Sequence, residues 1–456
     1  MSGAAEAFVS HALSLRWEAM PPAAQEAVKT FLLDSLGVGI AGAGSPLTAN
    51  VRQAALAWAG AGDAHVWGQG SYRTSAANAA FVNGFQIHCQ EFDCVHEPAV
   101  VHPMATILAA LMATVDREGD VCGTELGAAL AAAVDVATGL GVAAKTPLKF
   151  FRPATAGIFG ATLGCARLRG FTQAQARNAL GYALSFASGT MQAHTEGKPA
   201  LPVQIANAAR SAVMACDLAA AGMEAAEDSI EGPFGYLTLF EDAFDVTPVV
   251  TSLGKVFRIA EVSHKPFPTG RAAQGGIVLA KQAKAAGIAP GDIASARLTA
   301  PPLIKRLVGR PAQAGMTASY ARLCYQYSGA LTLIDGHVGL KDFSAEALAR
   351  EDVAALGRKI EVVDDGQTNP AAFTPQVLTL TLTSGETREF TINSLFGAPA
   401  DPLSPEQNEA KFRECCAFGF GRAREDIEAA MITAVSNLEN LVDAGRLSRL
   451  ASGIME

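Results

Sequence analysis

From Glu26 to Ala41 the run EAVKTFLLDSLGVGIA places apolar side chains at three- and four-residue spacing directly after Pro21 and Pro22, the pattern of a core-facing helix entered through prolines. Similar periodicity recurs through Ala225, so the first half of the chain is predicted to be nearly all helix. Gly127 to Ala144 is apolar, but Asp135 interrupts it and Ala, Gly and Val dominate it; a buried helix with small residues at close crossings is expected, not a membrane span. Past residue 260 the period changes. Ile293 to Ala300 reads as a short strand, and Leu378, Leu380 and Leu382 alternate with Thr379, Thr381 and Thr383 before a Ser384-Gly385 turn and a return strand from Thr387 to Ile392. Helical spacing resumes at Pro405 with Glu409, Phe412 and Cys416, and continues through Ile432, Leu438 and Leu441. The expected fold is mainly α: a large all-helical domain formed by both chain ends, residues 1–260 and 395–456, with a smaller α+β domain, residues 261–394, inserted between them.

Composition supports two cores and narrows the partners. The chain has 456 residues, more than one hydrophobic core usually holds. Half of it is hydrophobic and only 17% is charged, which suits close helix packing and a buried interface, so a homo-oligomer is expected. The net charge of -9 and the lack of a Lys/Arg cluster argue against a nucleic-acid partner. Eight cysteines form no C-x-x-C pair and no zinc spacing, and read as reduced thiols. The opening MSGAAEAFVSHALSLRW carries Glu6 and lacks a positive leader; with the reduced cysteines this predicts a cytoplasmic protein without a membrane anchor.

Candidate chemistry concentrates in EFDCVHEPAVVHP, Glu91 to Pro103, where Asp93, His96 and His102 stand beside an apolar helix. A carboxylate can hold an imidazole in one tautomer and set its basicity near neutral pH, the pairing that moves protons. The spacing matches no metal motif and no HExxH run exists, so no metal is assigned. Gly39-x-x-Gly42-x-Gly44 imitates a nucleotide loop, but it ends a helix and reads better as a helix C-terminus with its turn. Three cationic segments fit a small anion. Arg152 precedes Pro153 and a helical start led by Thr155, where a guanidinium and unpaired backbone N–H groups could face a carboxylate. Lys198 sits between Gly197 and Pro199 in a constrained turn and is expected to aim inward. His264, Lys265 and Arg271 surround two prolines that hold the backbone. Together they suggest a carboxylate cradle.

At these residues the chain resembles the MmgE/PrpD family, which includes 2-methylcitrate dehydratase, cis-aconitate decarboxylase and iminodisuccinate epimerase. The resemblance rests on LLDSLGVGIAG (32–42), AAFVNGFQIHCQEFDCVHE (79–97), VHPMATILAALMA (101–113), RPATAGIFGATLGCARLRG (152–170), GKPALPVQIANAARSA (197–212), KPFPTGRAAQGG (265–276), YQYSGALTLIDG (325–336) and DPLSPEQNEAKF (401–412). It implies an all-helical domain plus a smaller α+β domain, a homodimer, and a cofactor-independent active site in the cleft between domains. Carried over position by position, it implies catalytic roles for Asp93, His102, Lys198 and Tyr327. Where relatives carry a His before Pro-Thr this chain has Arg152, and Thr269-Gly270-Arg271 stands where several carry another His. The implied reaction is a dehydration like that of 2-methylcitrate dehydratase, in which a proton leaves carbon beside a carboxylate of a small di- or tricarboxylic acid. His102, oriented by Asp93, is expected as the base and Tyr327 or Lys198 as donor to the leaving group. His96, Arg152, His264, Lys265 and Arg271 are expected around the substrate. Without a leaving group the same apparatus would be an epimerase, and a helical ligand-binding scaffold without catalysis is the non-enzymatic alternative.

Overall fold

Pro21 and Pro22 open the helix Pro22–Ala43, whose Phe31, Leu32, Leu36 and Ile40 are buried. It is one of many helices in the computed structural model, which describes residues 3–369 and 371–455. This helix packs against Ala76–His88 on one side and against the late helix Pro405–Phe420 on the other. The packing explains its glycines. A Cβ on Gly42 would lie 1.9 Å from the Gln86 carbonyl oxygen, and one on Gly39 would lie 2.5 Å from the Trp67 ring. The glycine run that ends the helix is therefore needed for close crossing as well as for termination.

The apolar helix Gly123–Ala143 is buried along most of its length and crosses Gly157–Leu168 so closely that a Cβ on Gly160 would meet the Ala133 carbonyl oxygen at 2.2 Å. It is the one helix among the described residues that is by itself long and apolar enough to cross a membrane, and here it is packed inside the protein. Asp135 is tolerated in it because the Arg258 backbone N–H donates to the carboxylate at 2.7 Å and His11 Nε2 lies 2.9 Å away. Burial still raises the pKa of Asp135, against the pull of His11.

Two apolar cores follow. The first joins residues from Ala4 to Val262 with helices near the C-terminus, including Phe412, Met431 and Leu447. The second lies between Phe267 and Leu395. In it a four-stranded sheet runs Ile360–Asp364, Ile293–Ala300, Gln376–Leu382, Thr387–Ile392 in spatial order. The first pair is parallel and the other two are antiparallel, with Leu298 opposite both Val362 and Leu378. Helices Arg271–Ala285 and Tyr325–Asp335 pack together in this core. The mainly α reading matches the structure. Three of the four strands occur where alternation predicts them; Ile360–Asp364 was not predicted, being short and paired in parallel with a distant partner.

Candidate active site

The helix Ala76–His88 stops at His88, and the helix Pro103–Glu118 starts just after His102 with Pro103 in its first turn. The chain between them is bent by two residues in the left-handed region, Glu91 at φ 51° and Val100 at φ 53°. A non-glycine residue is held there only by its surroundings. Lys265 supplies part of the hold: fully buried, it donates to the Glu91 carbonyl at 3.3 Å and to Glu91 Oε2 at 3.0 Å. Its Nζ is also 3.8 Å from Asp93 Oδ1.

Asp93 consequently faces two imidazoles. His88 Nδ1 lies 3.1 and 3.0 Å from its two oxygens. His102 Nδ1 lies 3.1 Å from Oδ2, close but poorly aligned for a hydrogen bond. The rings are 5.0 Å apart and inclined at 70°. Burial alone would protonate Asp93, but His88, His102 and Lys265 outweigh it and hold the carboxyl well below the usual range. Glu91 is likewise pulled down to about 2, against burial, first by Lys265 and then by the two histidines.

A cleft opens above this floor, between the two cores. His88, Glu91 and His102 line it from the first core, with Phe151 beside the His88 ring at 5.9 Å. Gly270 and Arg271 line it from the second. Arg271 begins the helix Arg271–Ala285, so that helix's first N–H groups, which have no intrahelical acceptors, stand at the cleft wall. Arg271 is 3% exposed. Nε donates to Glu97 at 2.6 Å and Nη1 to Gln274 and the Phe396 carbonyl, while Nη2 has no hydrogen-bond partner among the described residues.

The other expected residues are placed differently. Arg152 lines the cleft, but Nε and Nη2 bind both oxygens of Glu241 at 2.8 Å, and Nη2 also reaches the Thr146 carbonyl. It is a wall residue whose charge is already paired. Lys265 lies beneath the carboxylates and supports them. His96 is buried with Nε2 3.0 Å from Glu261, and Nδ1 accepts the Ala99 N–H, so it staples the loop. His264 packs on Phe31 and lines a separate groove. The expected inward aim of Lys198 is corrected: Gly197, at φ 63°, closes the short helix Gln192–Glu196, and Lys198 in the turn that follows is exposed. Tyr327 is buried in the second core, its hydroxyl donating to the Asp342 carbonyl at 2.6 Å. Neither Lys198 nor Tyr327 is among the described residues that line the cleft.

His88, Glu91 and His194 line the cleft and were missed in the sequence. A signal existed for the first: His88 stands in the same run as Glu91 and Asp93, but it reads as the interior of an apolar helix. His194 is pushed down to about 4, by burial and then by Arg310. One donor atom each from His88, Asp93 and His102 falls within 4.8 Å of the others, a spacing a divalent ion could use. Lys265 already brings positive charge to that carboxylate, which disfavours a second cation there, and no metal is assigned.

With this geometry in hand, comparisons with known proteins agree on one family. The sequence model of the MmgE/PrpD N-terminal domain matches residues 6–249. That of the MmgE/PrpD C-terminal domain matches residues 267–437. The chain is similar to cis-aconitate decarboxylase of Mus musculus, with 27% identity over 442 residues, 93% of this chain and 88% of that protein. It is similar to the same enzyme of Homo sapiens at 27% over 444 residues, 93% and 89% respectively. A third relative, cis-aconitate decarboxylase-like protein oryM of Aspergillus oryzae, is 25% identical over 462 residues, 95% of this chain and 94% of that protein.

Proposed function

We propose, for a chain that belongs to the MmgE/PrpD family, a lyase that works without a cofactor on a small di- or tricarboxylic acid, removing a proton from carbon beside a carboxylate and expelling water. The observation that carries this reading is the meeting, in one cleft, of an imidazole on a buried carboxylate and a buried guanidinium with an unused donor. Loss of a proton beside a carboxylate leaves a dianionic enediolate, which needs donors where its charge develops. Arg271 Nη2 and the first N–H groups of its helix can hold that carboxylate. His102 is the base: burial and then Lys265 lower its pKa against the pull of Asp93, so it is neutral near pH 7. With Nδ1 turned to Asp93, Nε2 is left to take the proton.

A second reading, loss of carbon dioxide from the same class of acid, is favoured by the names of the relatives. Incubation with citrate, 2-methylcitrate and cis-aconitate separates the two. A conjugated alkene acid, seen by ultraviolet absorbance without gas release, supports dehydration; carbon dioxide supports decarboxylation. Neither product from any of the acids would overturn both. The expected homodimer and cytoplasmic location belong to the same proposal.

A further inference from the structure

Hydroxide leaves carbon readily only when it departs as water, so elimination needs a proton donor as well as a base. Tyr327 is turned to Asp342 and Lys198 is exposed, which leaves the donor to be found among the residues of the cleft. His88 meets the requirement by position. It is the last residue of a 13-residue helix, where the carbonyl end of the helix dipole favours a cation. His102 is the residue just before a 16-residue helix, where the N–H end disfavours one. Two imidazoles on one carboxylate are thus biased in opposite directions by opposite helix ends. His88 lines the cleft, and its Nε2 is a buried atom without a hydrogen-bond partner among the described residues, 3.6 Å from Glu91 Oε1.

We propose that His88 is the proton donor of this reaction and His102 its acceptor, the two forming one acid–base pair organised on Asp93. The proposal rests on the lyase reading above. His102 Nε2 first takes the proton from carbon and the C–H electron pair passes into the carboxylate to give the enediolate; in the second step that pair returns to form the new C=C bond. The C–O bond breaks with its pair going to oxygen, and the Nε2 proton of His88 joins that oxygen to give water. His102 ends charged and His88 neutral; exchange with solvent after product release restores both. The charged or titratable groups facing His88 are Asp93, Glu91 and His102 from its own turn and loop, Lys265 from below and His194 across the cleft. Burial opposes charge on His88, as does Lys265, but Asp93 and Glu91 outweigh them and its pKa is raised, whereas that of His102 is lowered. Residues pushed apart in this way divide acid from base.

The test uses full-length His88→Gln and Glu91→Gln variants with citrate and 2-methylcitrate in heavy water, following deuterium in the recovered acid and alkene formation separately. His88→Gln should keep deuterium exchange within about threefold of the unaltered enzyme while alkene formation falls about 100-fold or more. Glu91→Gln removes one of the carboxylates that keep the proton on His88, so the alkaline limb of its alkene-forming pH profile should move to lower pH. Equal loss of exchange and alkene in His88→Gln would make His88 a positioning residue and overturn the proposal, as would undiminished alkene formation. If His88→Gln does not fold, an unmoved alkaline limb in Glu91→Gln overturns it. Absence of exchange in the unaltered enzyme strikes at the lyase reading itself.

Discussion

Three cations near the cleft arrive already paired: Arg152 with Glu241, Arg271 with Glu97 and Lys265 with Glu91. What distinguishes Arg271 is the donor left over after its pairing, a buried Nη2 without a hydrogen-bond partner among the described residues. A buried donor without a partner is costly until a ligand fills it. Arg271→Gln should therefore raise KM for the acid by roughly 10- to 100-fold, the worth of a hydrogen bond to a charged group, with a smaller change in kcat. Steady-state kinetics on a variant with unchanged circular dichroism checks this, and an unaltered KM would remove Arg271 from substrate binding. Asp93, His102 and Arg271 were legible because an acid near a histidine and an arginine after two prolines are local patterns. Lys198 and Tyr327 were not, because the direction of a side chain at a turn or in a helix depends on how the two cores meet. His88 was hidden by its apolar neighbours, which disguise a helix end as a helix interior.

At the scale of elements, helix crossings place the site. The helix Ala76–His88 carries His88 at its end, and its height against Pro22–Ala43 is set where Gly42 touches the Gln86 carbonyl. Gly42→Ala would press a methyl group into backbone that cannot move aside, at a cost of about 3 kcal/mol or more. Gly291→Ala, where nothing lies within 4 Å, should change stability little. Urea midpoints for the two variants make the comparison, and a Gly42→Ala protein as stable as Gly291→Ala would deny that the crossing is tight. The helices and the hairpin Gln376–Leu382/Thr387–Ile392 were legible because their periods are strong and their partners near. The glycine spacing was read as a terminus because a sequence does not show which helix lies alongside.

Over the whole molecule, buried histidines tie stability to pH. His194 and His264 are pushed down to about 4, chiefly by burial, from an ordinary 6.5. Below 6.5 the unfolded chain takes up protons that the folded one refuses, so each group should withdraw roughly 3 kcal/mol of stability between pH 6.5 and 4, and no more below that. Glu91, at about 2 against an ordinary 4.5, adds a further loss as pH falls through that lower window. His88 opposes the trend: its raised pKa gives stability below its ordinary value that is lost as pH rises through the folded one. A urea midpoint that drops from pH 7 to pH 4 is expected, and a flat profile would contradict the burial of His194 and His264. The cleft between the cores exists, on this view, to move a proton at carbon. The most direct measurement of that is mass spectrometry of citrate and 2-methylcitrate recovered from heavy water after incubation with the unaltered protein and with His102→Asn. Deuterium beside a carboxylate with the first and none with the second is the expected result; equal labelling by both, or by neither, would contradict it.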